Sequence, residues 1–256
     1  MNLVREQIPV LGVDATPLTV GELIDVLAAF IDDGTTRTVV GHNLHSVTLT
    51  LSDSWFRELY ERSDVVLLDG APLLWLWGRG RKPRPESDAS LMAYRLGSTD
   101  WIPALGTVPG LERIAVLGAG QQANDGAVAR LKTLIPGAKV VGMPGEAWNT
   151  AKEDDAVAWL QAFRPQMVLV GLGMPLQEAV LQRTLEALPP AVYCTVGGAI
   201  EQLAGIQRLA PRWLGRMGLE WAWRLMLHPR RVAYRVFGEP WVLLALLLRR
   251  RLGLRR

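Results

Sequence analysis

The chain has 256 residues, 49% of them hydrophobic, so it can bury a sizeable core and is not an intrinsically disordered protein. Its net charge of +3 hides an asymmetry, because residues 205–256 carry twelve arginines and only two acids, whereas the rest of the chain is net acidic. The basic character therefore belongs to the C-terminal segment.

Cysteine content and hydropathy limit the compartments and folds to consider. The single cysteine, Cys194, excludes a disulfide framework and a cysteine-based zinc site, and it suits a reducing cytoplasm. The opening residues MNLVREQIPVLGV mix charged and apolar side chains, so we expect no secretion signal. The longest apolar run, residues 241–248, is shorter than the roughly 20 residues of a membrane-spanning helix. We expect it to lie on a membrane or pack in a core.

The first predicted elements alternate between strand and helix. Residues 36–43, TRTVVGHN, predict a strand that ends in a polar turn, and residues 44–63 predict mainly one amphipathic helix. Residues 64–70, DVVLLDG, predict a buried strand with Asp69 and Gly70 at its C-terminal end. Residues 78–87, GRGRKPRPES, predict a surface loop.

The alternation continues through the second half. Strands are predicted at residues 111–120, 138–143, 165–175 and 191–199, and helices at 124–137 and 176–188. This order predicts an α/β domain with a largely parallel sheet. Such sheets bind ligands at the carboxyl ends of their strands, where the polar and glycine-rich turns of this chain fall.

Several residues at these strand ends are candidates for chemistry, each with a structural alternative. Asp69 suits a general base with a raised pKa, or an ordinary turn-stabilising aspartate. The turn VLGAGQQANDG suits either a phosphate at a helix N-terminus or a plain tight turn. Gln177 suits a hydrogen bond to a sugar or base, and Glu178 suits the helix dipole. With three histidines and no zinc spacing, we expect no metal site at His42 or His45.

The C-terminal segment mixes arginine with tryptophan. Residues 217–235, MGLEWAWRLMLHPRRVAYR, precede the leucine-rich run and a final RRRLGLRR. Arginine binds phosphates in a bidentate way, and arginine beside tryptophan and leucine suits an anionic membrane surface. Nucleic acid is the rival partner, although it gains little from the leucines, and packing on the body is the structural alternative. We expect an anionic membrane surface and no nucleic acid.

Together these segments resemble one family, the WecG/TagA/CpsF glycosyltransferases. The resemblance covers nearly the whole chain in order: HN, DVVLLDGAPLLW, RLGSTDWIPAL, VLGAG, AKVVGM, VLVGLGMPLQE, VGGAIEQLAG and APRWLGRMGLEWAWRLMLHPRR. It implies a Rossmann-like, largely parallel body at residues 1–204 that binds a UDP-sugar, and a helical, basic, membrane-associating appendage at 205–256.

The resemblance also implies an activity. It is the inverting, metal-independent transfer of a sugar from a UDP-sugar to a polyprenyl-diphosphate-linked acceptor for cell-surface polysaccharide, at the cytoplasmic membrane face and without a cofactor. UDP-N-acetylmannosamine is the leading donor, with UDP-glucose as the alternative. The exposed tryptophans and leucines predicted for the appendage also suit a homo-oligomer interface.

Site residues carry over position by position. Asp69 matches the family's general base and Asn43 its second catalytic position. The substrate-binding positions implied by the resemblance are Gly70, Arg95, Asp100, Gly118, Gly120, Gly171, Gln177, Glu178, Arg208, Arg224, Arg230 and Arg231. The last three are the candidates that would stabilise the UDP leaving group in place of a metal.

Two blocks depart from the family's pattern. Gly41 stands where the family has a threonine, so a hydroxyl contact is absent or comes from His42 or Ser46. Leu209 stands in an arginine position, with Arg208 one residue earlier. These departures favour one alternative function, an impaired member that serves as a membrane-bound scaffold of a polysaccharide assembly complex. A nucleotide-dependent oxidoreductase is more distant, because the acid that binds the ribose is missing.

Overall fold

The computed structural model describes residues 3–79, 89–207, 214, 220–227 and 233–252. Within these ranges the strands are β1 (Glu6–Ile8), β2 (Val13–Ala15), β3 (Arg37–His42), β4 (Val65–Leu68), β5 (Arg113–Gly118), β6 (Lys139–Met143), β7 (Met167–Gly171) and β8 (Val192–Thr195). The helices of the body are α1 (Val20–Asp33), α2 (Leu44–Ser52), α3 (Ser54–Arg62), α4 (Ala71–Arg79), α5 (Ser98–Trp101), α6 (Gln121–Leu134), α7 (Thr150–Phe163), α8 (Leu176–Thr184) and α9 (Ala199–Leu203). Helices α10 (Glu220–Leu227) and α11 (Glu239–Arg251) follow, the latter after a π-helical turn, Tyr234–Gly238.

Strands β3 to β8 form one sheet in the described part of the chain. Its order is β4-β3-β8-β7-β5-β6, and every neighbouring pair is parallel. A separate antiparallel hairpin joins β1 to β2. The structure confirms the predicted α/β, Rossmann-like class.

The strands read as continuous apolar runs because helices cover both faces of the sheet. Along β5, Ile114 and Val116 pack toward α1 and α6, whereas Ala115 and Leu117 pack toward α7 and α8. All four residues of β4 are buried. Each fully buried aliphatic side chain contributes about 1.5–3 kcal/mol to stability relative to an exposed one. The apolar layers on the two faces therefore hold the sheet against its helices.

One predicted helix is wrong, because residues 44–63 form two helices. Helix α2 ends at Ser52, Asp53 is extended, and α3 begins at Ser54. Three hydroxyls of α2 donate back to carbonyl oxygens of their own helix: Thr48 to Leu44, Thr50 to Ser46, and Ser52 to Thr48. Such side chains compete with the backbone hydrogen bonds of a helix and bend it, which is consistent with the break at Asp53.

The order of the strands determines where a ligand can bind. The connection from β5 leads to β6 on one side, and the connection from β7 leads to β8 on the other. In open parallel sheets such a reversal is a common place for a ligand, which here is the carboxyl ends of β5 and β7. The last strand of the described residues, β8, lies inside the sheet between β3 and β7, so its following turn is brought next to those of β3 and β7.

Helix α11 packs on the body. Leu243 is buried in the cluster that contains Val47 of α2, and His45 pairs with Glu239. Arg250 donates to the carbonyl oxygens of Leu11 and Gly12 at 3.5 and 3.4 Å. None of the helices described is long and apolar enough to cross a membrane. The division of the chain at residue 204 stays a prediction.

Candidate active site

Asp69 lies at the carboxyl end of β4, beside the end of β3. Its backbone N–H donates to the carbonyl of His42 at 2.8 Å. The N–H of Leu96 donates to the carbonyl of Leu68 at 2.8 Å, which brings Arg95 and Gly97 to the same edge. Asp69 is half-buried, so its carboxylate combines partial desolvation with access from solvent.

Two carboxylates converge on the backbone of Gly97. Its N–H donates to Asp100 Oδ2 at 2.9 Å. A β-carbon built on Gly97 would lie 3.0 Å from Asp69 Oδ1 and 3.3 Å from Asp100 Oδ2. Arg95 Nη2 lies 3.9 Å from Asp100 Oδ1, with the Arg95 side chain only 14% exposed. The structure thus gathers three predicted site residues around a glycine that the sequence analysis did not single out.

Asn43 follows β3 and caps α2. Its Oδ1 accepts from the N–H of Ser46 at 3.0 Å, and Ser46 Oγ accepts from the N–H of Asn43 at 2.8 Å. This reciprocal pair satisfies two backbone donors at the start of the helix. The cap uses the oxygen end of the Asn43 amide and leaves Nδ2 outside it. The catalytic role of Asn43 stays a prediction.

His42 and Ser46 are internal to the fold. Burial lowers the pKa of His42 to about 3, with a smaller contribution from the charge of Arg5, so its imidazole is neutral. The His42 ring stacks on Tyr60 with 4.5 Å between centroids, and Nδ1 lies 3.0 Å from Ser46 Oγ. Ser46 is fully buried in the cap. A β-carbon on Gly41 would lie 3.6 Å from Asp69 Cβ, and replacement of the family's threonine contact by His42 or Ser46 stays a prediction.

Gln177 and Glu178 lie in the first turn of α8, after β7. Gln177 Nε2 donates to Glu178 Oε1 at 2.8 Å, and Gln177 Oε1 accepts from the N–H of Gly197 at 3.0 Å. Burial raises the pKa of Glu178 to about 7, partly offset by the hydrogen bond from Gln177. Both side chains are buried, so they lie behind the turn that follows β8.

The glycines at the strand ends allow close backbone approach. A β-carbon on Gly118, whose φ is +117°, would lie 2.5 Å from the carbonyl of Gly171, and one on Gly171 would lie 2.2 Å from Ile200 Cδ1. Gly70 also has a positive φ, +118°. Packing therefore explains Gly118 and Gly171 without a ligand, and their predicted contact with substrate stays a prediction.

The N-terminus of α6 already holds an anionic group. Glu146, from the loop after β6, accepts from the N–H of Gln121 at 2.9 Å, and a β-carbon on Gly120 would lie 2.9 Å from the same oxygen. A carboxylate here interacts favourably with the positive end of the helix dipole, as a phosphate would. A phosphate at Gly120 would have to displace Glu146, a contact that the sequence analysis missed because the two segments are far apart in the chain.

The basic positions of the appendage are only partly covered by the structure. Arg208, Arg230 and Arg231 lie outside the described residues, and Arg224 is described only as a backbone position of α10. Among the described residues, no three His, Cys, Asp or Glu side chains are grouped to hold a metal ion.

Comparison with known proteins identifies the family. The sequence model of the Glycosyl transferase WecG/TagA/CpsF family matches residues 8–256. The chain belongs to this family. It is therefore a glycosyltransferase, and the resemblance inferred from the motifs is confirmed.

Two relatives from this comparison carry the same name, N-acetylglucosaminyldiphosphoundecaprenol N-acetyl-beta-D-mannosaminyltransferase. The one from Staphylococcus aureus (strain MRSA252) is 20% identical over 230 residues, which are 88% of this chain and 87% of that protein. The one from Bacillus subtilis (strain 168) is 32% identical over 122 residues, 47% of this chain and 46% of that protein.

Proposed function

We propose that this glycosyltransferase moves a sugar from a UDP-sugar onto a polyprenyl-diphosphate-linked saccharide, with inversion and without a metal ion. The names of the two relatives support the lipid diphosphate acceptor and an N-acetylmannosaminyl group as the transferred sugar. UDP-N-acetylmannosamine is accordingly the first donor to test, and UDP-glucose the second.

The observation that carries the proposal is the position of Asp69. Its half-buried carboxylate lies at the carboxyl edge of the sheet, against Gly97 and next to Asp100. In a single displacement, Asp69 accepts the proton of the acceptor hydroxyl while the hydroxyl oxygen attacks the anomeric carbon and UDP departs. A positioned general base accelerates such a step by about 10²–10⁴-fold.

The departing diphosphate needs positive charge. Arginine guanidinium groups of the appendage, at positions 224, 230 and 231, are the proposed source, because they bind phosphate oxygens in a bidentate way and stay charged. Fixed positive charge of this kind replaces the divalent cation in the proposed mechanism.

An exposed apolar stripe supports a peripheral position on the membrane. The stripe consists of Trp241, Leu244 and Leu248, which lie three and four residues apart on α11, together with Tyr234 and Phe237 of the preceding π-helical turn; all five are exposed. The opposite side of α11 packs on α2 through Leu243.

The stripe is followed by Arg249 and Arg251, while Arg250 between them donates to the carbonyl oxygens of Leu11 and Gly12. Apolar insertion together with basic residues suits an anionic leaflet, where each basic residue contributes about 1 kcal/mol. We propose attachment to the cytoplasmic face, which would place the acceptor lipid beside the carboxyl edge of the sheet.

The test is UDP release from a panel of UDP-sugars, in detergent, with a short-chain polyprenyl-diphosphate-N-acetylglucosamine acceptor. We expect release from one preferred donor and only when the acceptor is present. Release that ignores the acceptor, or no release and no UDP binding by calorimetry, would contradict the proposal.

A further inference from the structure

We propose that Glu178 is a positioning residue, which never touches substrate but holds the Gln177 amide and, through it, the turn that follows β8. The turn, residues 196–198, lies at the carboxyl edge between the ends of β3 and β7. The functional half of this inference rests on the proposed function of that edge, whereas its structural half can be tested without any substrate.

Two hydrogen bonds select one orientation of the Gln177 amide. Glu178 Oε1 accepts from Nε2 at 2.8 Å, and the N–H of Gly197 donates to Oε1 of Gln177 at 3.0 Å. An amide carries donors at one end and an acceptor at the other. A rotated amide would therefore turn an acceptor toward the acceptor Oε1 of Glu178 and a donor toward the Gly197 N–H, and lose both bonds.

The turn depends on this support. Val196 N–H donates to the Val170 carbonyl at 2.8 Å, and Ala199 N–H donates to the Val196 carbonyl at 3.1 Å. Between them Gly197 adopts φ +50°, and its N–H is satisfied by the Gln177 side chain. Gln177 therefore supplies the acceptor that keeps the middle of the turn in place.

Burial separates the residues that a ligand can contact from those that only support them. Glu178 is 0% exposed and Gln177 is 3% exposed, whereas Gly197 is partly exposed and Gly198 is exposed. A ligand at the strand edge can contact the turn, but Glu178 lies behind it. Its effect on the site therefore passes through Gln177 and Gly197.

The second carboxyl oxygen argues against a packing role alone. Glu178 Oε2 is buried and has no hydrogen-bond partner among the described residues. Leaving a buried polar atom unpaired is unfavourable, so an apolar side chain would fill this space better. The charge of Glu178 is felt by Tyr60 of α3, whose pKa is raised first by burial and then by the charge of Glu178, with Asp69 adding to it.

The test compares two variants with wild type. Glu178→Gln keeps an oxygen that can accept from Gln177, whereas Glu178→Leu removes it. Hydrogen–deuterium exchange, followed by mass spectrometry on a peptide covering residues 193–200, measures the protection of the backbone amides of this turn, among them the Gly197 N–H, without substrate. We expect Glu178→Leu to lose protection and Glu178→Gln to retain it. Transfer should follow the same order, with kcat reduced on the order of 10²-fold in the leucine variant and UDP affinity unchanged.

Glu153→Gln is the matched control, because Glu153 is a buried glutamate that faces α8 but pairs with Arg183. It should leave the exchange of residues 193–200 unchanged. If Glu178→Leu folds and keeps both protection and kcat, the proposal is wrong. If that variant does not fold, loss of Gly197 protection in Glu178→Gln overturns it instead. Wild type with neither transfer activity nor UDP binding would refute the proposed function, while a loss of protection confined to Glu178→Leu would still support the positioning role.

Discussion

Replacing Glu178 with glutamine should change how the stability of the protein depends on pH. The carboxyl of Glu178 is fully buried, and burial raises its pKa from 4.5 to about 7. Glutamine has nearly the same shape and can still accept from Gln177, but it cannot ionise. The variant therefore removes the titration while keeping most of the packing.

The sign follows from the direction of the pKa shift. Between pH 4.5 and pH 7 the folded protein holds a proton on Glu178 that the unfolded chain releases, so the contribution of this group to stability is fully present below pH 4.5. It is lost as the pH rises through about 7. The shift corresponds to about 3 kcal/mol, which falls largely between pH 5 and pH 8. The free energy of unfolding of Glu178→Gln relative to wild type should rise by that amount over this interval.

Urea unfolding at pH 5, 6, 7 and 8 measures this difference, and the chain's ten tryptophans provide the fluorescence signal. Titration of the other groups is common to both proteins and cancels. Glu153→Gln should instead be less stable than wild type at neutral pH, because it breaks the ion pair with Arg183. A difference between Glu178→Gln and wild type that stays constant from pH 5 to pH 8 would refute the reasoning, since Glu178 would then ionise in the folded protein as it does in the unfolded chain.

Three further predictions concern packing, the membrane and the metal. Gly118→Ala should lower the free energy of unfolding by about 2–5 kcal/mol, because its β-carbon would clash with the Gly171 carbonyl in a positive-φ conformation. The control is Gly137→Ala, where φ is +94° but the space for a β-carbon is open. This control should lose less stability, because it has the unfavourable backbone conformation without the clash. Phe237→Ser with Trp241→Ser should weaken sedimentation with anionic liposomes at least about tenfold, which is roughly 1.4 kcal/mol, whereas an exposed valine outside the stripe, changed in Val4→Ser, should have no effect; equal binding by both variants would exclude the stripe as the anchor. EDTA should leave the transfer rate unchanged, and a strict requirement for magnesium would contradict the proposed arginine-based stabilisation of UDP.

The sheet could be predicted because each of its strands carries its own signal. The run that contains Val65–Leu68 is apolar throughout, and a strand covered on both faces needs that pattern. The break at Asp53 was missed because periodicity does not register the hydroxyl groups that bond back along α2. The central position of β8 also lies beyond local patterns, because pairing with β3 joins segments far apart in the sequence.

The difference between local sequence signals and contacts of distant segments applies to the site as well. Asp69 and Asn43 could be placed at one edge because the carboxyl ends of parallel strands meet there. Contacts between distant segments could not be predicted, and they change the interpretation of single residues. Glu146 reaches the N-terminus of α6 from the loop after β6, and Glu239 pairs with His45, 194 positions away. No periodic pattern encodes such pairs, because nothing in the sequence around one residue indicates which distant residue it will contact.

The central claim is that Asp69 is the base of the transfer reaction, and the rate of Asp69→Asn tests it most directly. Asparagine keeps the size of the side chain but cannot take a proton at neutral pH. The measurement is kcat with the preferred donor and lipid-linked acceptor, alongside UDP affinity by calorimetry. The account predicts a fall in kcat of about 10²–10⁴-fold with UDP affinity unchanged. A variant that turns over at the wild-type rate would contradict it.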